Sequence, residues 1–258
     1  MNKHPVKFTG AGPGAPDLIT VRGMRALQEA DLIVYAGSLV PDAVLSWAGD
    51  GARLESSAHM DLGQITELVA QAYFEGEKVV RLHSGDPSLY GAIAEQIRLL
   101  REKQVPFEII PGVTAAFAAA AELEIEYTLP QISQSLILTR MQGRTPVPER
   151  ENLASLAAHG ASMAIYLSSG MAGQLEEVLS ENYGEESPVA VVYRASHPDG
   201  KILWTEAKNL GRCMKEAGIT RQALVIAGPS LQAQKKGQFC ASKLYDKTFT
   251  HGCRQGDE

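Results

Sequence analysis

The sequence predicts an α/β protein of two domains, the first with a mostly parallel sheet and the second with a mixed sheet. Two observations carry this reading. Short apolar runs rich in β-branched residues alternate with helical periodicities from residue 6 to about residue 226. That is the pattern of strands joined by crossover helices, hence of parallel sheets with right-handed connections. In addition, Val189-Ala190-Val191-Val192 is followed by Ile202-Leu203-Trp204 after a short connection. A parallel return needs a dozen residues or more, so this pair must be antiparallel. The boundaries read as 1–115 and 116–233, followed by a polar tail, 234–258, that pattern alone does not fold.

Taken in order, residues 6–9 form a strand that opens into Gly10-Ala11-Gly12-Pro13-Gly14. This spacing is not the dinucleotide fingerprint G-x-G-x-x-G, and Pro13 and Pro16 remove amide donors that a pyrophosphate cradle uses. Thr20 caps a helix with Val21, Met24 and Leu27 on one face. Residues 31–35 are a second buried strand, and a short helix lies around 42–47. Ile65, Leu68, Val69, Ala72 and Tyr73 give the clearest amphipathic helix, with Gly76 as its stop. Residues 79–83 are a strand breaking into Ser84-Gly85-Asp86-Pro87, after which Ile93, Ile97 and Leu100 mark a helix. A strand at 107–110 ends in Pro111-Gly112-Val113-Thr114. The second half repeats the alternation with strands at 136–139, 163–167, 189–193, 202–205 and 223–226, and helices near 152–159, 174–182 and 210–217.

Three strand ends of the first half therefore carry glycine loops, at Gly12, Gly85 and Gly112. In a parallel sheet they share one edge, and the carboxyl edge is where ligands sit. The plain alternative for each loop is an ordinary βα turn. Together they outline a pocket.

Composition narrows what that pocket serves. With 45% hydrophobic and 21% charged residues, the chain has the make-up of an ordinary globular protein. Against 30 Asp and Glu stand 24 Lys and Arg, a formal charge of −6, which gives no reason to expect nucleic acid or an anionic membrane. An anionic small molecule has to be met by local Arg or Lys. Cys213, Cys240 and Cys253 lack Cys-x-x-Cys spacing, which argues against a disulfide framework or a zinc site and fits a cytoplasmic location. The N-terminus shows no apolar run of signal length, and residues 113–123 are too short to span a bilayer.

With these motifs placed, the chain resembles the tetrapyrrole methylase family. Gly10-Ala11-Gly12-Pro13-Gly14 and Leu18-Ile19-Thr20-Val21-Arg22-Gly23 match its first motif. Val79, Leu82, Gly85-Asp86, Tyr90-Gly91 and Pro111-Gly112 match its second. Leu138-Thr139-Arg140, the run from Gly143 to Glu149, Ser242-Lys243-Leu244-Tyr245-Asp246 and Phe249-Thr250-His251-Gly252 resemble one branch, which methylates carbon 11 of a corrin precursor. The resemblance implies the two-domain tetrapyrrole methylase fold, a homodimer, and S-adenosylmethionine held between the domains. The implied cofactor contacts are Pro13, Ser84, Gly85, Asp86, Leu89, Tyr90, Thr114, Ala115, Leu167, Ala195 and Ala227. The chain departs from the wider family at Ser84, where Gly is frequent, and at Leu167, where Met is common. Tyr35-Ala36-Gly37-Ser38-Leu39 replaces a Tyr-Asp-x-Leu segment, so no acid–base role passes to Ala36.

Methyl transfer from a sulfonium to a nucleophilic ring carbon needs alignment and exclusion of water more than a strong base. The absence of a Ser-His-Asp, Cys-His or metal pattern fits, and no catalytic residue is assigned. The substrate's carboxylates call for cations. Arg140 and Arg144 flank a turn after a strand and are the candidates, the alternative being solvated loop arginines. His59, after a further strand, faces either the macrocycle or a structural partner, and His83 reads as a packing residue. Two other functions stay open: another methylase on this scaffold, acting on diphthine or on ribosomal RNA 2′-hydroxyls, and a non-enzymatic nucleoside-binding module.

Overall fold

Five strands of the first half pair wholly in parallel: β1 (Val6–Gly10), β2 (Leu32–Tyr35), β3 (Arg53–Ser56), β4 (Val79–His83) and β5 (Phe107–Ile110). Their order is β3-β2-β4-β1-β5, so β1 lies between β4 and β5 and pairs with both. The coordinates are those of a computed structural model and describe residues 4–37 and 39–256. Ser38, within the segment compared with Tyr-Asp-x-Leu, falls outside them.

Two compact units divide the chain, residues 1–118 with 196–199, and residues 119–195 with 200–258. In the first, apolar clusters cover both sheet faces, as a parallel sheet requires. Leu27, Ile33, Val80, Leu82 and Ile110 fill one side. Phe8, Leu32, Val34, Val69, Tyr73 and Leu100 fill the other. Helix α1 (Val21–Gln28) starts where Thr20 predicts, its Oγ accepting the Gly23 N–H at 3.1 Å. The short α2 (Asp42–Leu45) follows. Helix α3 (Leu62–Phe74) carries a reciprocal capping box between Asp61 and Gln64, and Gly76, at φ +94°, stops it as expected.

After Pro87 the helix waits for Ile93, the first apolar position that marks it. Helix α4 (Ile93–Glu102) begins only at Ile93, and residues 88–92 form a turn with Tyr90 at φ 57° and Ala92 at φ 49°. Left-handed backbone at non-glycine residues costs energy and clusters at functional sites. Helix α5 (Ala115–Leu123) springs directly from the β5 loop.

The second unit holds β6 (Leu136–Arg140), β7 (Ser162–Tyr166), β8 (Pro188–Tyr193), β9 (Lys201–Glu206) and β10 (Ala223–Ala227), ordered β6-β7-β10-β8-β9. The sheet is mixed: β6 and β7 are parallel, β10 runs against both of its neighbours, and β8–β9 is the expected antiparallel pair. Helices α6 (Leu153–Ala157), α7 (Ala172–Tyr183) and α8 (Leu210–Glu216) cover one face, where Met163, Ile165, Leu175, Leu179, Val191 and Met214 are fully buried. Helix α9 (Pro229–Lys236) was not foreseen, although Pro229 in its first turn and Gly237 at its end, at φ +64°, are start and stop signals. Among the described residues no helix is long and apolar enough to cross a membrane.

Candidate active site

The carboxyl ends of β1, β4 and β5 meet as backbone against backbone. A Cβ on Gly10 would stand 2.5 Å from the Gly112 Cα and 2.6 Å from the Gly85 carbonyl oxygen. Gly12 and Gly85 exchange both main-chain hydrogen bonds, at 3.2 and 2.8 Å. Gly85 takes φ +65°, a conformation that glycine adopts freely, and its absent Cβ would lie 3.7 Å from the Thr114 Cα. Loops carrying Pro13, Ser84-Gly85-Asp86 and Thr114-Ala115 are thus brought to one edge. Pro13 and Thr114 are buried, whereas Ser84, Gly85, Leu89 and Ala115 are half-buried and Tyr90 is exposed.

Asp86 holds two of these loops together. One carboxylate oxygen accepts the Gly112 N–H at 2.8 Å, and the other accepts the Ser88 N–H at 2.8 Å together with the Ser88 hydroxyl. The side chain therefore ties the β4 loop to the β5 loop and closes the turn that delays α4. Burial by itself would raise its pKa, but the hydrogen bonds from Ser88 and Gly112 hold it below the usual carboxylate value. The stabilisation is present above the unfolded-state pKa near 4 and is lost as pH falls through the lowered folded value. Asp86→Ala is expected to lower stability by about 1–2 kcal/mol at neutral pH, the range for charge-assisted hydrogen bonds in a partly solvated place. A urea midpoint equal to that of the parent would refute the tie.

Beneath this loop lies a buried polar pair. Arg81 donates from Nε to Gln96 Oε1 at 3.1 Å and from Nη1 to the Val34 carbonyl at 3.0 Å, while Gln96 Nε2 reaches the Ala92 carbonyl at 3.2 Å. This chain of bonds braces the Tyr90–Ala92 turn from below. Burial lowers the Arg81 pKa to about 10, leaving it charged at neutral pH. His83 is buried and stacked on Phe8, with ring centroids 5.9 Å apart. Burial, and then the Arg81 charge, push its pKa down to about 3, so it is a neutral packing residue, in line with the sequence reading. Sequence reasoning missed Arg81 and Gln96, because their partners are a side chain fifteen residues away and main-chain carbonyls. It also missed Ser196, whose Oγ accepts the Ala15 N–H at 2.9 Å, and His197, whose ring lies against Gly14.

At the other end of this sheet's edge, His59 closes the single turn after β3 and is exposed. Ala36 packs against the cluster around Leu82, an apolar role in keeping with the lost acid.

In the second unit β6, β7 and β8 run the same way, so Arg140, Leu167 and Ala195 share one edge. Leu167 stands at φ 52° with its side chain exposed, and Ala195 is buried between two left-handed residues, Arg194 and Ser196. Ser168 joins two of these strand ends, accepting the Met141 N–H at 2.9 Å. Ala227 does not join them. It ends β10, which runs the opposite way, and it pairs with Met163 near the start of β7. Arg140 holds the loop that follows it. Its guanidinium donates to the carbonyls of Met141, Thr145 and Pro146 at 3.2, 3.2 and 2.8 Å, curling the following loop around itself. Arg144, on that loop, is exposed.

Residues 6–211 match the family described as Tetrapyrrole (Corrin/Porphyrin) Methylases. The chain is 47% identical over 255 residues to cobalt-precorrin-4 C(11)-methyltransferase of Methanocaldococcus jannaschii, covering 98% of this chain and 97% of that one. It is also 47% identical over 252 residues to precorrin-4 C(11)-methyltransferase of Pseudomonas aeruginosa, covering 98% and 99%. Among solved structures, a cobalamin biosynthetic enzyme, cobalt precorrin-4 methyltransferase, superposes with a TM-score of 0.85 at 45% identity, over 88% of this chain and 95% of that one. The motifs, the paired sheets and this near-complete match agree: the chain belongs to the tetrapyrrole methylase family.

Proposed function

We propose that this protein is an S-adenosylmethionine-dependent methyltransferase that adds a methyl group to C11 of precorrin-4 or cobalt-precorrin-4 in corrin-ring synthesis. The observation that carries the reading is identity of 47% along almost the whole chain to enzymes named for that reaction. Identity is equal to a cobalt-named and a metal-free-named relative, so both substrates belong in the assay. Methylases acting on diphthine or RNA, and a non-enzymatic binder, have no comparable support.

The glycine corner fits a bound donor of this kind. Its surroundings are small, uncharged residues with backbone close at hand, and its one carboxylate, Asp86, is already held by Gly112 and Ser88. When bound, the donor supplies an activated methyl: a carbon–carbon bond forms, the carbon–sulfur bond breaks, and the electron pair leaves with S-adenosylhomocysteine. For this chain's own residues the reading assigns binding and orientation. Pro13, Ser84, Gly85, Leu89, Tyr90, Thr114 and Ala115 line the donor, while Asp86 fixes the shape of the loops that carry them. Free Cys213, Cys240 and Cys253 suit a reducing cytoplasm, and a homodimer is the assembly proposed.

The decisive assay incubates the protein with S-adenosylmethionine and each tetrapyrrole, and reads one added methyl by mass spectrometry. No mass gain on either tetrapyrrole overturns the reading. The two arginines should then separate. Arg144→Ala is expected to raise KM for the tetrapyrrole several-fold with little change in kcat, as loss of ground-state binding does. Arg140→Ala is expected to loosen the loop and lower the thermal midpoint. If KM stays level in Arg144→Ala, that residue is a solvated loop arginine.

A further inference from the structure

The tail after α9 is ordered by its own main chain yet leaves its large side chains uncovered. Arg254 donates from Nη2 to the carbonyls of Leu244, Asp246 and Phe249, and residues 251 and 254 exchange main-chain bonds at 2.8 and 3.0 Å. Asp246 accepts both the N–H and the hydroxyl of Thr248, at 2.9 and 2.8 Å. A segment that gives up this much conformational freedom usually buries its own aromatics. Here Phe239 is 54% exposed, Leu244 49% and Tyr245 82%. Exposed apolar groups gathered on one segment mark a binding surface.

Charge indicates what binds. Although the chain as a whole is acidic, the tail, residues 234–258, carries Lys235, Lys236, Lys243, Lys247 and Arg254 against Asp246, Asp257 and Glu258. The family match ends at residue 211, whereas the two C11-methyltransferase relatives align over 98% of this chain, which takes in most of this segment.

We propose that residues 238–256 form a binding element for the carboxylate-bearing macrocycle, with Lys243 and Lys247 meeting its peripheral carboxylates and Tyr245 and Leu244 its apolar ring; this rests on the methyltransferase reading above. Cationic side chains attract carboxylates and aromatic groups pack on flat rings, so the combination suits a polyanionic tetrapyrrole better than an acidic second copy alone.

The test uses the full chain and uroporphyrin III, with eight carboxylates, as probe, with coproporphyrin III, with four, for comparison. The double variant Lys243→Glu/Lys247→Glu and the single variant Tyr245→Ala are titrated by fluorescence quenching. Donor affinity is measured by calorimetry and oligomeric state by light scattering. The expected result is uroporphyrin affinity lowered about tenfold or more in the double variant. Discrimination between the two porphyrins and the salt dependence should both weaken, with donor affinity unchanged. Unchanged uroporphyrin affinity in both variants overturns the proposal. So does a change of oligomeric state without a change in affinity, which assigns the tail to a second copy. Failure of the parent protein to methylate any tetrapyrrole instead removes the reading beneath it.

Discussion

Gly112→Ala is expected to destabilise the protein by about 3 kcal/mol and to abolish methyl transfer. The figure is the upper end for overpacking, because the groups in the way cannot rotate aside. A Cβ at Gly112 would fall on the Gly85 carbonyl oxygen and 2.8 Å from the Gly10 Cα, both of them main-chain atoms. Accommodation requires the loops after β4 and β5 to part at the edge where the donor is proposed to bind. Gly85→Ala makes the contrast. Its Cβ meets nothing closer than 3.7 Å, so its cost is the left-handed backbone at φ +65°, about 1–2 kcal/mol. Urea denaturation of the two variants should therefore rank Gly112→Ala as clearly the worse. Equal midpoints would mean that the glycine contact is looser than the geometry requires.

Acid should destabilise the first unit through His83. Its folded pKa of about 3 lies well below the unfolded value near 6.5. Between those values the unfolded chain binds a proton that the folded chain does not, so stability falls as pH falls, by at most about 1.4 kcal/mol per pH unit. Above 6.5 both states hold the imidazole neutral and the effect vanishes. His83→Phe keeps a flat ring against Phe8 and removes Nε2, a buried nitrogen with no hydrogen-bond partner among the described residues. The variant should match or exceed the parent near pH 5, with a shallower decline of the urea midpoint from pH 7 to pH 4.5. A decline as steep as the parent's would place the proton uptake elsewhere.

What the chain's pattern made legible was what depends on local periodicity. Apolar runs gave the strands of both sheets, the spacing of Ile65 to Tyr73 gave α3, and the short link between β8 and β9 gave their antiparallel pairing. Glycines at strand ends gave the corner, because only glycine lets three backbones approach so closely. What stayed hidden depends on distant or main-chain partners. The tie made by Asp86 is one case, since nothing local announces the Gly112 N–H that it holds. Tyr90 and Ala92 carry no residue signature for the left-handed backbone of the turn before α4. The direction of β10 stayed hidden too, because an apolar run does not reveal which way its strand points.

Arg140 and Arg254 share a habit with an evolutionary consequence. Each gathers a loop by gripping carbonyl oxygens, three apiece. Every amino acid brings the same carbonyl, so the grip is indifferent to what the loop spells. Positions such as Arg144 and Tyr245 are free to drift toward a new ligand while the curl that displays them persists, and altered preference can arise by single exchanges without a refolded scaffold.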